Sequence, residues 1–342
     1  MNVLMSLRRT FALCLFVWHF GVFAWAAPSA PGITAVDSVG MTVQEMDRSM
    51  KFYTEVLTFE PVSDVEVWGS EYEQFQGIFG LRMRVVRLKL GEECIELTEY
   101  LTPKGKPIPP DSRSHDHWFQ HVAIIVQDMN QAYHWLRQHQ IRHVSTGPQR
   151  LPDWNPQAGG IRAFYFQDPD GHVLEILQFP PGKGQSKWHQ PTDRLFLGID
   201  HTAIVVKETE ASLRMFRDTL GLRVVGESEN YGTEQEHLNQ VFGARLRITA
   251  LRAIEGPGIE FLEYLSPNDG RSMPESERPN DLFHWHTRLV TTQMPALIRQ
   301  LTMMRTPFLS GGPITLPSPT FGFASGLLIR DPTGHVLQIV QR

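Results

Sequence analysis

The sequence predicts an α+β fold built from four βαβββ units arranged as two tandem pairs, and two observations carry that reading. First, the 342-residue chain repeats itself. Asp37 answers Asp200, Glu96 answers Glu260 and His121 answers His286, at offsets of 163, 164 and 165 residues. A repeat of that length is a duplicated domain rather than a solenoid unit. Second, each half divides again into a strand, a helix and three further strands.

The elements follow in order. Unit one opens with a strand near 36–43, then a helix at about 45–57, where Met46, Met50, Tyr53 and Leu57 form an apolar stripe at helical spacing. Strands follow near 59–67, 82–90 and 93–101. Unit two has a strand at 120–126, a helix at 129–139, and strands near 142–146, 161–167 and 172–179. The last two are joined through the turn Asp168-Pro169-Asp170-Gly171. Units three and four repeat the pattern at 199–265 and 285–340, and His286 to Leu301 aligns with His121 to Leu136 without a gap. Between the halves, residues 181–195 are rich in Pro, Gly, Lys and Gln and read as a linker.

Composition is that of a globular chain with real cores: 41% hydrophobic, 20% charged, net charge −5. No basic footprint points to nucleic acid. At the N-terminus, Arg8-Arg9 precede an apolar run from Phe11 to Ala26, and Ala24-Trp25-Ala26 has the small-x-small form of a cleavage site. Residues 1–26 are therefore expected to be a cleaved secretory signal, leaving a periplasmic or secreted protein with no membrane attachment. Cys14 would leave with the signal, so Cys94 alone cannot form an intramolecular disulfide.

The strand–helix openings (Asp47-Arg48-Ser49 with Phe52-Tyr53, and Glu210-Ala211-Ser212 with Phe216) and the endings Asp168-Pro169-Asp170-Gly171-His172 and Asp331-Pro332-Thr333-Gly334-His335 carry a family likeness. Over nearly all of the mature chain the sequence resembles the vicinal-oxygen-chelate superfamily, which holds glyoxalase I, epimerases, extradiol dioxygenases and bleomycin-resistance proteins. The resemblance implies two tandem glyoxalase-like domains at 33–180 and 196–342. It also implies a divalent metal (Zn, Ni, Fe or Mn), a small-molecule substrate, and a chain able to work as a monomer because the duplication replaces a dimer.

Ligand positions carried over from the family are Ser38 and Glu96 in unit one, His121 and Glu175 in unit two, His201 and Glu260 in unit three, and His286 and Gln338 in unit four. The residues themselves support the carboxylates. Glu175 alternates with Val173, Leu177 and Phe179 on one strand face, and Glu260 lies between Ile259 and Phe261. A carboxylate on an apolar face is costly unless it is paired, protonated or bound to a cation.

Sequence leaves two pairings open. If neighbouring units pair, the sites are Ser38, Glu96, His121, Glu175 and His201, Glu260, His286, Gln338. If the halves swap units, one set becomes His121, Glu175, His201 and Glu260, and the other collects the departures: Ser38, Glu96, His286 and Gln338. The swapped pairing is favoured because it leaves one complete two-His, two-Glu shell and one degenerate twin. Such a shell suits a Lewis-acid metal that stabilises an enediolate-type intermediate, with Glu175 and Glu260 as the catalytic carboxylates.

The leading expectation is a glyoxalase-like lyase or isomerase acting on a small oxygen-rich compound. A true lactoylglutathione lyase is disfavoured: Val205 and Thr42 stand where glyoxalase I has an arginine, and Tyr264 and Tyr100 where it has an asparagine. One alternative is an extradiol-type dioxygenase using His201, His286 and Gln338. Another is a small-molecule-binding protein of the bleomycin-resistance type, its cup walled by Trp118, Phe119, Phe283, Trp285, Tyr100 and Tyr264.

Overall fold

The computed structural model describes residues 32–317 and 321–341. The expected signal, Arg8-Arg9 and Cys14 lie outside the described residues.

All four units form, and they pair across the halves of the sequence. One sheet joins unit one (Ile33–Thr42, Glu60–Trp68, Arg82–Leu90, Glu93–Thr102) to unit four (Trp285–Thr291, Ile314–Thr315, Ser325–Arg330, Val336–Gln341). The other joins unit two (Phe119–Val126, Arg142–His143, Arg162–Gln167, Val173–Gln178) to unit three (Phe196–Val205, Arg223–Tyr231, Arg245–Arg252, Gly258–Ser266). At each seam the two first strands run antiparallel, Ser38 opposite Arg288 in one sheet and His201 opposite Ala123 in the other. Within each unit the first strand is parallel to the last, as a strand–helix crossover requires.

The alternation of the strands sorts their residues between two environments. Val39, Met41, Ile95 and Leu97 of unit one face the helices and pack with Val122, Ile124, Leu174 and Ile176 of unit two. Units three and four share the equivalent core around Ile204, Phe261, Leu289 and Ile339. Each sequence half therefore has its own core, while each curved sheet is shared between halves. The intervening positions (Ser38, Glu96, His121, Glu175, His201, Glu260, His286 and Gln338) face the concave sides. Crossed assembly is what brings His201 and His121 to one cup and separates His201 from His286 and Gln338. The ring-cleaving ligand set, with His201 on one sheet and the other two on the other, is not brought together.

Several local features depart from expectation. The helix of unit one is α-helical over Met46–Lys51 and then widens to a π-turn over Phe52–Val56, with Met46, Tyr53 and Leu57 buried as the stripe predicts. Short helices at Ser70–Gln76 and Thr233–Asn239, absent from the expected pattern, sit between the second and third strands of units one and three. They are entered through Gly69 at φ +114° and Gly232 at φ +95°, where a side chain would be strained. The segment read as a linker is packed down. Trp188, on a turn at Ser186–His189, is buried and donates Nε1–H to Asp200 Oδ1 at 3.0 Å.

The repeated Asp-Pro-x-Gly-His turns are structural hubs. Asp168 Oδ1 accepts the amides of Asp170, Gly171 and His172, its Oδ2 takes the Tyr53 hydroxyl at 3.1 Å and lies 2.8 Å from His172 Nδ1, and His172 Nε2 reaches Leu282 O. In the twin turn, His335 Nε2 reaches Val205 O at 2.9 Å. These histidines tie units together. Although Asp168, Asp170 and His172 cluster closely, their atoms are committed to the turn and to Arg48 and Ser49.

Candidate metal centre

In the unit two–three cup, His121, Glu175 and His201 converge, and Glu260 stands beside His201. His121 Nε2 lies 3.1 Å from Glu175 Oε2 and 3.4 Å from His201 Nε2, and His201 Nε2 lies 3.4 Å from Glu260 Oε2. The register sets this up. Ala203 pairs with His121 across the seam and with Glu260 on the other side, and Ala123 pairs with His201 and with Glu175, so four polar residues surround two small ones.

Partners behind the rings fix which nitrogen faces inward. His121 Nδ1 meets Gln120 Oε1, and His201 Nδ1 lies 3.1 Å from Asp200 Oδ2. Each Nδ1 is thereby assigned the proton, which leaves both Nε2 lone pairs aimed at the carboxylates. Asp200 is held in turn by Arg252 Nη2 at 2.9 Å and by Trp188. Such outer hydrogen bonds orient metal-binding imidazoles and raise their basicity. Glu175 Oε2, in a residue 3% exposed, accepts no hydrogen bond despite its short distance to His121. Two lone pairs and two carboxylates converging with an orphaned buried oxygen repel one another unless a cation lies between them. The residues present therefore fit a divalent ion, held by His121, Glu175, His201 and Glu260.

In protein stripped of metal, a proton takes the cation's part. Burial opposes charge on His201, but Glu260, Asp200 and Glu175 outweigh it and push the ring from 6.5 up to about 9. Because the folded value is raised, this proton's stabilising contribution is complete below pH 6.5 and is lost as pH rises through 9. Metal displaces the same proton, so metal uptake is expected to tighten across that window while the stability of stripped protein falls. Calorimetric unfolding and zinc titration at pH 6, 7.5 and 9 check both slopes; an affinity that does not rise with pH contradicts the assignment.

The unit one–four cup holds Ser38, Glu96, His286 and Gln338, but an arginine occupies the centre of that group. Arg288 is the largest fully buried side chain in the protein's described part, 1% exposed. It meets Gln338 Oε1 through Nε, Glu96 Oε1 at 2.6 Å through Nη2 and Asp37 Oδ2 at 3.6 Å through Nη1, and its guanidinium lies 4.9 Å from the Phe323 ring. Its counterpart in the other cup is Ala123. His286 takes a different place from His121: its ring lies over Gly40, where any Cβ would come within 2.0 Å, whereas the counterpart of Gly40 is Ala203. Buried and beside His284 and Arg288, the His286 ring is held well below its usual range, and its Nε2 has no hydrogen-bond partner. The remainder of this cup is filled by Tyr72, Phe75, Phe321 and Phe323.

The complete set opens on a cavity of about 340 Å³, lined by His121, Glu175, His201 and Glu260 among others. The aromatic residues that the binding-protein alternative would use as cup walls do not line it. Phe119 and Trp285 stack on each other at 4.1 Å, Trp118 packs on Phe283, and the Tyr264 hydroxyl takes the Asn239 amide at 2.8 Å. Thr42 is spent on Pro279 O, and Val205 is core.

A family model for the "Glyoxalase/Bleomycin resistance protein/Dioxygenase superfamily" matches residues 35–176 and again 198–339. The chain belongs to this superfamily. Superfamily relatives include a 2-epi-5-epi-valiolone epimerase of an Actinomyces species, 32% identical over 158 residues, which are 44% of this chain and 83% of the relative. A metallothiol transferase, FosB, of Staphylococcus epidermidis is 25% identical over 146 residues, 42% of this chain and 81% of that one. In fold the chain is similar to glyoxalase I from Zea mays, with a TM-score of 0.59 at 15% identity, covering 90% of this chain and 92% of the other.

Sequence reasoning missed Gln120 and Asp200 behind the histidines, and Gly40 and Arg288 in the twin. Arg288 had a visible signal. Trp285-His286-Thr287-Arg288-Leu289-Val290 aligns with Gln120-His121-Val122-Ala123-Ile124-Ile125, an arginine against an alanine inside an apolar strand.

Proposed function

We propose that this protein is a metal-dependent proton-transfer enzyme, an isomerase, epimerase or lyase of the glyoxalase type, acting on a small oxygen-rich carbonyl compound. The observation that carries this reading is the convergence of His121, Glu175 and His201, with Glu260 Oε2 3.4 Å from His201 and an orphaned oxygen on Glu175, beside a cavity of about 340 Å³. A relative named as an epimerase supports a proton-transfer reaction on this scaffold.

A bound divalent ion supplies Lewis-acid stabilisation of negative charge on substrate oxygens. The chain's own residues do the rest. His121 and His201, braced by Gln120 and Asp200, orient the centre. Glu175 and Glu260 approach it from the last strands of different units, so one carboxylate can take a proton from the carbon beside the carbonyl. The acid so formed returns the proton to the neighbouring carbon on the same face, or the other carboxyl group, protonated beforehand, delivers its own proton to the opposite face of that carbon. Atoms balance without a co-reactant. Apolar walls from Leu246, Ile248 and Leu262 keep bulk water from the carbanionic species.

Glu175→Gln and Glu260→Gln keep shape but remove the base. Each is expected to slow exchange of the substrate's α-proton with deuterated solvent by about 10²–10⁴-fold. Nuclear magnetic resonance detection of exchange over a panel of hydroxycarbonyl compounds measures this directly. Wild-type-rate exchange in both variants would remove the carboxylates from the chemistry.

A further inference from the structure

Resting on that reading, we infer that the substrate is an uncharged polyhydroxylated carbonyl compound, without phosphate, carboxylate or nucleotide ester, and that Gln235 selects it by accepting a hydrogen bond from a substrate hydroxyl. The first support is charge. Among the described residues lining the cavity there is no lysine or arginine, while Glu175, Glu260 and Glu227 bring three carboxylates. Glu227 already has its cation, Arg247, at 2.8 Å. With the divalent ion's charge already balanced by Glu175 and Glu260, an anionic substrate moved from water into this lining would find no guanidinium or ammonium among the described residues to meet it.

The second support is an unmet acceptor. Gln235 lines the cavity, is 3% exposed, and its Oε1 has no hydrogen-bond partner. It sits on the short helix Thr233–Asn239, across from the apolar strand residues Leu246 and Leu262. A buried carbonyl left unpaired is costly, so the site favours a ligand that donates there. The Asn230 Oδ1 already accepts from Asn155 Nδ2 at 2.7 Å and from the Ser228 hydroxyl at 3.2 Å, which leaves the Gln235 Oε1 as the unpaired amide acceptor.

The twin cup shows what this position does when no ligand is served. The counterpart of Gln235 is Tyr72, which packs on Phe321, and the counterpart of Leu238 is Phe75, which packs on Phe323. The cup with metal ligands thus carries an amide and an aliphatic residue where the plugged cup carries two rings. That difference is one of ligand space and hydrogen bonding, separate from the metal ligands.

The test uses the full chain loaded with zinc, its zinc content measured first, then titrated calorimetrically with erythrulose and with erythrulose phosphate. Erythrulose is expected to bind, with the phosphate at least about tenfold weaker. Gln235→Leu, close in volume, is expected to weaken erythrulose about tenfold with zinc content unchanged, and Gln235→Lys to shift preference toward the phosphate. Equal or tighter binding of the phosphate by the wild-type chain overturns the charge argument. Unchanged erythrulose affinity in Gln235→Leu overturns the role of Gln235, and absence of erythrulose binding to zinc-loaded protein overturns the substrate class. Failure to take up zinc overturns the underlying metal-centre reading, and is seen before any ligand is added.

Discussion

Replacing His201 with alanine is expected to cost more than about 100-fold in metal affinity, beyond the 10–100-fold typical of losing an outer partner alone. His201 stands nearest the geometric middle of the set, within 3.7 Å of Glu175 and 3.4 Å of both His121 and Glu260. Its loss also takes one partner from Asp200, whose carboxyl is held well below the usual range: the cost of its burial is overcome by His201, Arg252 and Trp188. His121→Ala is expected to behave alike. His286→Ala, by contrast, should leave metal content unchanged, because its ring lies over Gly40 in a cup whose centre is already cationic. Equilibrium dialysis of the three variants separates them; metal loss in His286→Ala equal to that in His201→Ala would contradict the account.

Arg288→Ala is expected to be the most destabilising single change in the twin cup, by roughly 3–5 kcal/mol, the range for breaking a buried ion pair from one side. The guanidinium is fully buried and serves Glu96, Gln338 and, at longer range, Asp37. Removing it leaves the Glu96 carboxylate, 5% exposed, without its cation partner and opens a space beside Phe323. Removing both members of the pair with apolar residues, Arg288→Met with Glu96→Met, should recover much of the loss, since no uncompensated charge then remains. Denaturant unfolding of the single and double variants gives the coupling. Arg288→Ala unfolding like wild type would deny that the arginine replaces a metal as the organising cation.

The two predictions share one cause, visible in part from the sequence. The four units and the positions of their main strands follow from the repeat and from period-two alternation, and the ligand positions follow from the family resemblance, with alternation supporting the carboxylates. Crossed pairing was one of two open arrangements, because nothing local to Phe196–Val205 specifies whether Phe119–Val126 or Trp285–Thr291 lies beside it. The complementary distribution of Ser38 and Gln338 was the only pointer.

What was illegible is mostly interaction through space. Trp188 sits in a segment whose composition reads as linker, yet its indole reaches Asp200. Gln235 lies on a helix too short for periodicity to reveal, and its importance comes from what faces it. The aromatic residues near the strand ends were candidate cup walls only under the binding-protein alternative, and Phe119 and Trp285 instead stack to join units two and four. Packing between halves decides that, and neither stretch records it alone.

The duplication thus yields two cups with different centres. One has four converging ligands and ligand space; the other has Arg288 and a plug of rings. The most direct test is the metal content of the purified full chain after saturation with zinc and removal of excess, by elemental analysis against protein concentration. One zinc per chain is predicted, falling to none in His121→Ala with His201→Ala. Two zinc ions per chain, or one that survives the double change, would contradict the assignment of a single centre to the unit two–three cup.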